Sequence, residues 1–439
     1  MTKMPPPAAP SGPTLPRAPI VIITGASSGI GRATAVVFAR HGWRVGLVAR
    51  GHAGLEAAKH EVQASGAQED ILVATAVADV SDPDALEVAA VQLEAVLGAA
   101  DVWINCAGNG TFGRFLDTPH QEFKRVTDVT YMGSVNGTRA ALSRMLPRDQ
   151  GCIVNVCSAV AFHGMPLLSS YSGAKHALRG FTQAVRAELA QDGSRVRLAT
   201  VFPPAVNTPF FDHAISHMGA LGRPMSPVYQ PHVIADAIYL AATTQRQEML
   251  ISFTTVLFAM GMRLMPGVVS RAIRRLGYAG QLTNDQAAKA RHKPTLFAAS
   301  ETASPARGGF DTISRSRSAQ VTLLQWLARL GLGRSARPGS APRAHAHEPN
   351  DAQTVASSFR QTAHQAAADE SMRSGPSVAA APVPPSTPKP IVKPVVKMAN
   401  KETDKVADKV AGKPIPHTPS RLARDNSVEA LLTPNDTLV

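Results

Sequence analysis

The sequence predicts an α/β fold built on a doubly wound parallel sheet, a single domain with a disordered N-terminal leader and a long C-terminal tail. Three observations point there. Six short, nearly continuous apolar runs recur before residue 205, a helical pattern separates each from the next, and residues able to do chemistry follow directly on the runs. Apolar runs without polar alternation are strands buried on both faces, the mark of a parallel sheet covered by helices on either side. Such sheets bind ligands beyond the carboxyl ends of their strands.

In chain order, "PIVIITG" (19–25) is the first strand and "GIGRATAVVFARHG" the helix behind it. "RVGLVAR" (44–50) is the second strand, followed by a helix near Leu55 to Ala64. "DILVATAVADV" (70–80) is the third. The stretch "DPDALEVAAVQLEAVLG" then reads as a helix opened by Ser81 or Asp82, with Pro83 in its first turn, where the missing N–H is no loss. "DVWINCAG" (101–108), "GCIVNVCS" (151–158) and "RVRLATVFP" (195–203) supply three more strands.

Composition divides the 439 residues unevenly. Residues 1–299 carry 27 Lys/Arg against 20 Asp/Glu, and residues 300–439 carry 18 against 12. The positive balance is shared, so the folded part is not a strongly basic nucleic-acid module. Cys106, Cys152 and Cys157 all fall inside apolar runs, which argues for a reducing compartment and against a disulfide framework or a zinc site. The proline-rich start lacks the apolar core of a signal peptide, so the expectation is a cytoplasmic, non-secreted protein with a disordered leader over 1–17.

"TGASSGIG" (24–31) joins the first strand to the first helix. Gly25, Gly29 and Gly31 permit a tight turn and close approach of a pyrophosphate; Ser27, Ser28 and Ile30 lie between them, before the positive end of the helix dipole. This is the dinucleotide-binding arrangement of a Rossmann-type sheet. NAD-selective sheets end their second strand on an acid that holds the ribose 2′-OH. Here the strand ends in Arg50, and Arg32 follows the glycines; two guanidinium groups suit a 2′-phosphate, so NADP(H) is favoured over NAD(H). Asp79, next to Val80 after the third strand, is expected to accept from the adenine amino group or to cap the following helix.

Ser158 ends the fifth strand, and "YSGAK" (171–175) places Tyr171 and Lys175 four residues apart, on one face of the next helix. With TGASSGIG, "NCAG" after strand four and "PPAVNTP" after strand six, the chain resembles the short-chain dehydrogenase/reductase family over about residues 18–255. The resemblance implies hydride transfer between a nicotinamide dinucleotide and a carbonyl/alcohol substrate, and a homo-oligomer. Tyr171 would be proton donor and acceptor, its pKa lowered by Lys175 and the positive nicotinamide ring; Lys175 would also bind the nicotinamide ribose, and Ser158 would hold the substrate oxygen. Asn105, Ala107 and Gly108 would line the cofactor, with Pro203, Val206 and Thr208 near the nicotinamide. Three positions depart from the family pattern. Thr130 stands where an Asn usually supports a proton relay, Cys106 replaces a second Asn that braces the sheet, and Pro204 replaces a Gly.

Residues 204–229 should form a substrate lid, and Phe210, Phe211, Ile215, Met218, Leu221 and Met225 make it apolar. That fits a hydrophobic substrate or a lid merely packed down. The first half of "MLISFTTVLFAMGM" (249–262) matches the family's seventh strand. The second half opens a 256–295 extension with Arg271, Arg274 and Arg275, a candidate for peripheral membrane contact or docking on a partner. Residues 296–439 read as a low-complexity basic tail. It holds one amphipathic stretch (321–333), lysines every fourth residue from Lys389 to Lys413, and a sparse His345/His347 pair that is no metal site. Nucleic-acid contact through this tail is disfavoured. The alternative to an enzyme is a catalytically weak NADP-binding scaffold whose tail engages partners, nucleic acid or anionic membrane.

Overall fold

The structure, a computed structural model, describes residues 17–67 and 71–330. The expectations placed on residues 1–16 and 331–439, the lysine series and the two histidines among them, lie outside the described residues.

Seven strands form one parallel sheet: β1 (Ile20–Thr24), β2 (Arg44–Ala49), β3 (Val73–Val77), β4 (Val102–Asn105), β5 (Cys152–Val156), β6 (Arg197–Phe202) and β7 (Glu248–Leu250). Their order is β7-β6-β5-β4-β1-β2-β3, so the chain reverses direction between β1 and β4 and opens a crevice there. Successive residues of β1 face opposite layers. Val21 and Ile23 join the core under α1 (Gly29–Arg40), α2 (His52–Ala64) and α8 (Pro231–Thr243). Ile20 and Ile22 join the core under α3 (Pro83–Leu97) and α5 (Gly133–Met145). α4 (His120–Thr127) runs into α5 through a π-helical turn, Asp128–Met132, and α6 (Ser169–Gln191) carries the YSGAK stretch. Asp82, rather than Ser81, caps α3: its carboxylate accepts from the N–H groups of Asp84 and Ala85.

The lid folds as α7 (Phe210–His213) with two-residue strands. Ile215–Ser216 pairs with Thr111–Phe112, and Val228–Tyr229 lies between Ala205–Val206 and Ser314–Arg315. After β7 come α9 (Phe253–Leu264), α10 (Pro266–Leu276) and α11 (Gln286–Arg291), so the seventh strand is only three residues long and the apolar run continues as helix.

Two boundary expectations are corrected. Arg17 belongs to the domain, since it pairs with Asp101 at 3.3 Å. Residues 296–330 are not a bare tail. Ser314–Arg315 extends the lid sheet, and α12 (Ala319–Arg329) packs on α8 with Val321 buried. The stretch from 296 to 318 lacks hydrophobic periodicity, and backbone hydrogen bonds together with single contacts such as buried Leu296 and Phe310 against Phe211 hold it down.

Helix α5 touches the sheet at Gly137, where an added Cβ would come within 2.0 Å of Asn105 Oδ1. Asn105 is a buried hub. It accepts from Trp103 Nε1 at 2.9 Å and donates to Asn155 Oδ1 at 2.8 Å and Thr138 Oγ1 at 3.1 Å. Gly137→Ala is therefore expected to destabilise the fold. Overpacking costs on the order of 1–3 kcal/mol, and a broken buried hydrogen bond adds a similar amount. A lowered thermal midpoint in calorimetry checks this, at about 2–4 °C per kcal/mol for a domain of this size.

Candidate active site

The glycine loop turns where the sequence requires it to. Gly25 and Gly29 adopt φ of +68° and +56°, a region that disfavours side chains. A Cβ on Gly25 would also strike Ala107 at 2.7 Å, so the loop and the start of the "AG" segment after β4 can approach only without it. Together they edge a cavity of about 650 Å³ at the carboxyl end of the sheet. Ser27, Ser28, Ile30, Val80, Ala107, Gly108, Pro203, Val206 and Thr208 line it. The first-turn N–H groups of α1, aimed at its glycine end, suit the pyrophosphate of a dinucleotide.

Arg32 does not. Its guanidinium is turned away from the cavity and bonded to Glu61 at 2.5 Å, to the Ala57 carbonyl at 3.1 Å and to the Ser304 carbonyl at 2.9 Å. A carboxylate one helix away outcompetes a solvated site for a charge already 8% exposed. Arg50 does line the cavity, and it donates to the carbonyls of Thr295 at 2.7 Å and Leu296 at 3.3 Å. Burial and the nearby Arg125 charge lower its pKa against the opposing pull of Asp79. Asp79 faces the same cavity, but neither caps α3 nor keeps a free oxygen pair. One oxygen takes Ser81, and the other takes Arg125 with Arg50 at 3.9 Å. Burial works to raise the Asp79 pKa; hydrogen bonds from Arg125 and Ser81 outweigh it and hold the carboxylate below its usual range.

At the end of β4 two expectations exchange places. Asn105 was assigned to the cofactor and the neighbouring Cys106 position to the sheet. In the structure Asn105 is the buried brace and Cys106 lines the cavity. Residues two apart on a strand share a face, so Asn105 follows Trp103 into the core and Cys106 points the other way. Burial lifts the Cys106 thiol to about 12, partly offset by Lys175, so it is an uncharged wall.

Ser158, Tyr171 and Lys175 converge on the same cavity. The Ser158 hydroxyl accepts from the Val160 N–H at 3.3 Å and lies near enough to the Tyr171 phenol to act on its pKa. Lys175 Nζ lies 5.7 Å from the centre of the Tyr171 ring and donates to the Val156 carbonyl at 2.8 Å. Burial dominates at Tyr171 and pushes the phenol well above its ordinary value, with Ser158 acting to lower it. Burial also lowers the Lys175 pKa, opposed by Cys157 and Cys106. Thr130, fully buried in the π-helical turn, is not part of the cavity wall. Its hydroxyl accepts from the Asn109 N–H at 3.2 Å and donates to the Asn109 carbonyl, bracing the loop that carries Gly108.

Of the lid residues, Phe210, Phe211 and Met225 reach the cavity, and Met218 packs in the lid's own apolar cluster. Two parts of the wall escaped sequence reasoning. Phe258 of α9 and Val269, Ile273 and Leu276 of α10 close the apolar end. Residues 292–311 form a strap over the other end. The Lys293 and Thr295 N–H groups bond the carbonyls of Asp212 and His213, and the Gly29 N–H at the head of α1 donates to the Pro305 carbonyl at 3.3 Å. Asn207, fully buried, is the clasp. Its carbonyl oxygen accepts from the Phe310 N–H at 3.0 Å, and its amide donates to Asp311 at 2.9 Å. Asn207 stands in the quoted "PPAVNTP", but no local signal ties it to a segment 100 residues away.

A parallel sheet with its crevice at the β1/β4 reversal, a glycine cradle and a Ser–Tyr–Lys cluster at one cavity define a dinucleotide-dependent oxidoreductase site. Residues 19–218 match the family model described as short chain dehydrogenase. The chain is 32% identical over 264 residues to the uncharacterized oxidoreductase YxnA of Bacillus subtilis, covering 60% of this chain and 73% of that protein. It is 31% identical to dehydrogenase/reductase SDR family member 7B of Bos taurus, over 57% of this chain and 79% of that protein. To 3-dehydrosphinganine reductase of Danio rerio it is 35% identical, over 44% of this chain and 57% of the relative. The chain belongs to the short-chain dehydrogenase/reductase family and is an NAD(P)-dependent oxidoreductase.

Proposed function

We propose that the protein interconverts an apolar ketone and its alcohol with NADP(H), Tyr171 exchanging the proton at the substrate oxygen. The observation that carries this reading is the meeting of Ser158, Tyr171 and Lys175 at a cavity that Phe210, Phe211, Phe258 and Ile273 also line. Bound nicotinamide supplies or accepts the hydride. The chain's own residues do the rest. Ser158 and Tyr171 bond the substrate oxygen from one side, and the buried phenol stays protonated at neutral pH, so it is a donor ready for carbonyl reduction. Lys175 lies close enough to stabilise a phenolate once the proton has left. A cavity with so little charge at its substrate end suits a long or polycyclic hydrocarbon body; a relative named for 3-dehydrosphinganine supports a lipid-like substrate.

The preference for NADP(H) rests on Arg50 alone, since Arg32 is engaged elsewhere. Arg50 follows β2 where a 2′-OH-binding acid would stand, and the carbonyls it now bonds are exchangeable for phosphate oxygens. Arg50→Ala is expected to weaken NADPH at least about tenfold and NADH less than threefold, in line with one lost charge-assisted hydrogen bond pair. Fluorescence titration with both dinucleotides checks this, and equal losses would remove the argument. A screen of long-chain and polycyclic ketones, read by loss of reduced-nicotinamide absorbance, tests the substrate class; turnover confined to small polar ketones would overturn it.

A further inference from the structure

We propose that the outward face of α9, with the arginines of α9 and α10, is a docking surface for an anionic lipid bilayer, set against the apolar end of the substrate cavity. This goes beyond the proposed chemistry and rests on exposure, charge and position.

Helix α9 has no charge before Arg263, and a helix apolar all round belongs in a core. Only one side of it is covered. Phe253, Leu257, Met260 and Leu264 recur at i, i+4, i+7 and i+11 and are 61%, 71%, 52% and 70% exposed. Met265 and Val268 continue the exposure into α10. A contiguous row of large apolar side chains on a surface marks an interaction site. The charge around it is of one sign. Arg263, Arg271, Arg274 and Arg275 are all exposed, and no Asp or Glu lies between Glu248 and Asp285.

That charge pattern decides the occupant. Pairing with a second copy through a two-fold axis would set four arginines against four more, with no carboxylate in the segment to answer them. An anionic membrane answers all of them, and exposed apolar side chains beside arginines match an interfacial helix. Spanning is excluded for this element. α9 has 12 residues, and among the described residues no helix is long and apolar enough to cross a bilayer. The position then has a use. Phe258 of α9 and Val269 and Ile273 of α10 face the cavity from these same helices, and Leu276 both lines it and is 65% exposed. The cavity wall therefore reaches the surface at the docking face, which would let an apolar substrate pass from bilayer to active site without crossing water.

The test is co-sedimentation of the full-length protein with phosphatidylglycerol vesicles and, separately, with phosphatidylcholine vesicles. We expect binding to the anionic vesicles, at least tenfold weaker binding to the zwitterionic ones, and weakening with salt. Leu257→Asp/Leu264→Asp should reduce binding at least tenfold. Arg271→Glu/Arg274→Glu/Arg275→Glu should reduce it on the order of fivefold per arginine. Because all five positions are exposed, both variants should keep the parent's thermal midpoint. No binding to either vesicle, or binding undiminished in both variants, would overturn the proposal. So would a dimer that Leu257→Asp/Leu264→Asp converts to monomer in the absence of vesicle binding, which would assign the face to a second copy. The readout is binding, so it stands whether or not the substrate class is right.

Discussion

Replacing Tyr171 by Phe is expected to lower turnover by at least about 10³-fold, while dinucleotide affinity stays within about threefold. General acid catalysis by a positioned group contributes roughly 10²–10⁴-fold, and here no other proton donor takes its place. Lys175 is turned to the Val156 carbonyl, and burial makes the Cys106 thiol a poorer acid than a free one. The phenylalanine ring keeps the contact with Phe210, whose centroid lies 5.4 Å away, so the wall of the cavity survives and only the hydroxyl is lost. Steady-state rates with single-turnover measurement of hydride transfer, beside a fluorescence titration of cofactor, separate the two quantities. Turnover within tenfold of the parent would refute the acid/base assignment of Tyr171.

A cross-link that fixes the 292–311 strap to the body of the domain is expected to slow dinucleotide exchange at least about 100-fold. A Cβ built on Gly51 falls 3.5 Å from Ala299 Cβ, within the range a disulfide spans, and Gly51 has φ of −101°, which any residue adopts. The strap carbonyls of Thr295, Leu296 and Pro305 occupy donors that face the nucleotide crevice, so a dinucleotide takes those donors only as the strap gives them up. In Gly51→Cys/Ala299→Cys the comparison is between oxidised and reduced forms of one protein. Release of NADPH by stopped-flow fluorescence should be slow when oxidised and recover on reduction. The native cysteines are poor competitors for the bond, since Cys152 and Cys157 are buried and the Cys106 thiol, on the cavity wall, is pushed up to about 12 and stays protonated. Equal rates in the two forms would show that the strap does not gate the site, and failure of the thiols to pair would show that it does not lie where the structure puts it.

What could be read from the sequence was whatever depends on neighbours along the chain. The six first strands, the glycine turn and the i,i+4 pair of Tyr171 and Lys175 follow from local periodicity and from where a strand ends. Asn105 was misassigned by one residue of strand parity, although Trp103 two positions earlier is the clue that it faces the core. Arg32 was misassigned because its direction depends on Glu61, 29 residues on, and a guanidinium after a glycine loop has two plausible partners. Asp79 does not cap the helix after it, and its ion pair with Arg125 was not legible because Arg125 comes from a helix whose placement the sequence does not reveal. The strap was read as tail for a physical reason. Its contacts are made by backbone carbonyls and N–H groups, which every residue carries alike, and by single side chains such as Phe310 and Asp311 whose partners lie about 100 residues away, so neither hydropathy nor motif records them.

The clasp at Asn207 also has a consequence for how the molecule is made. The family-matched stretch stops at residue 218, yet the groups that answer Asn207 are at 310 and 311. A ribosome delivers six of the seven strands, all but β7, and the whole glycine cradle well before it delivers those partners, so the nucleotide crevice is complete along the chain before the segment that closes over it.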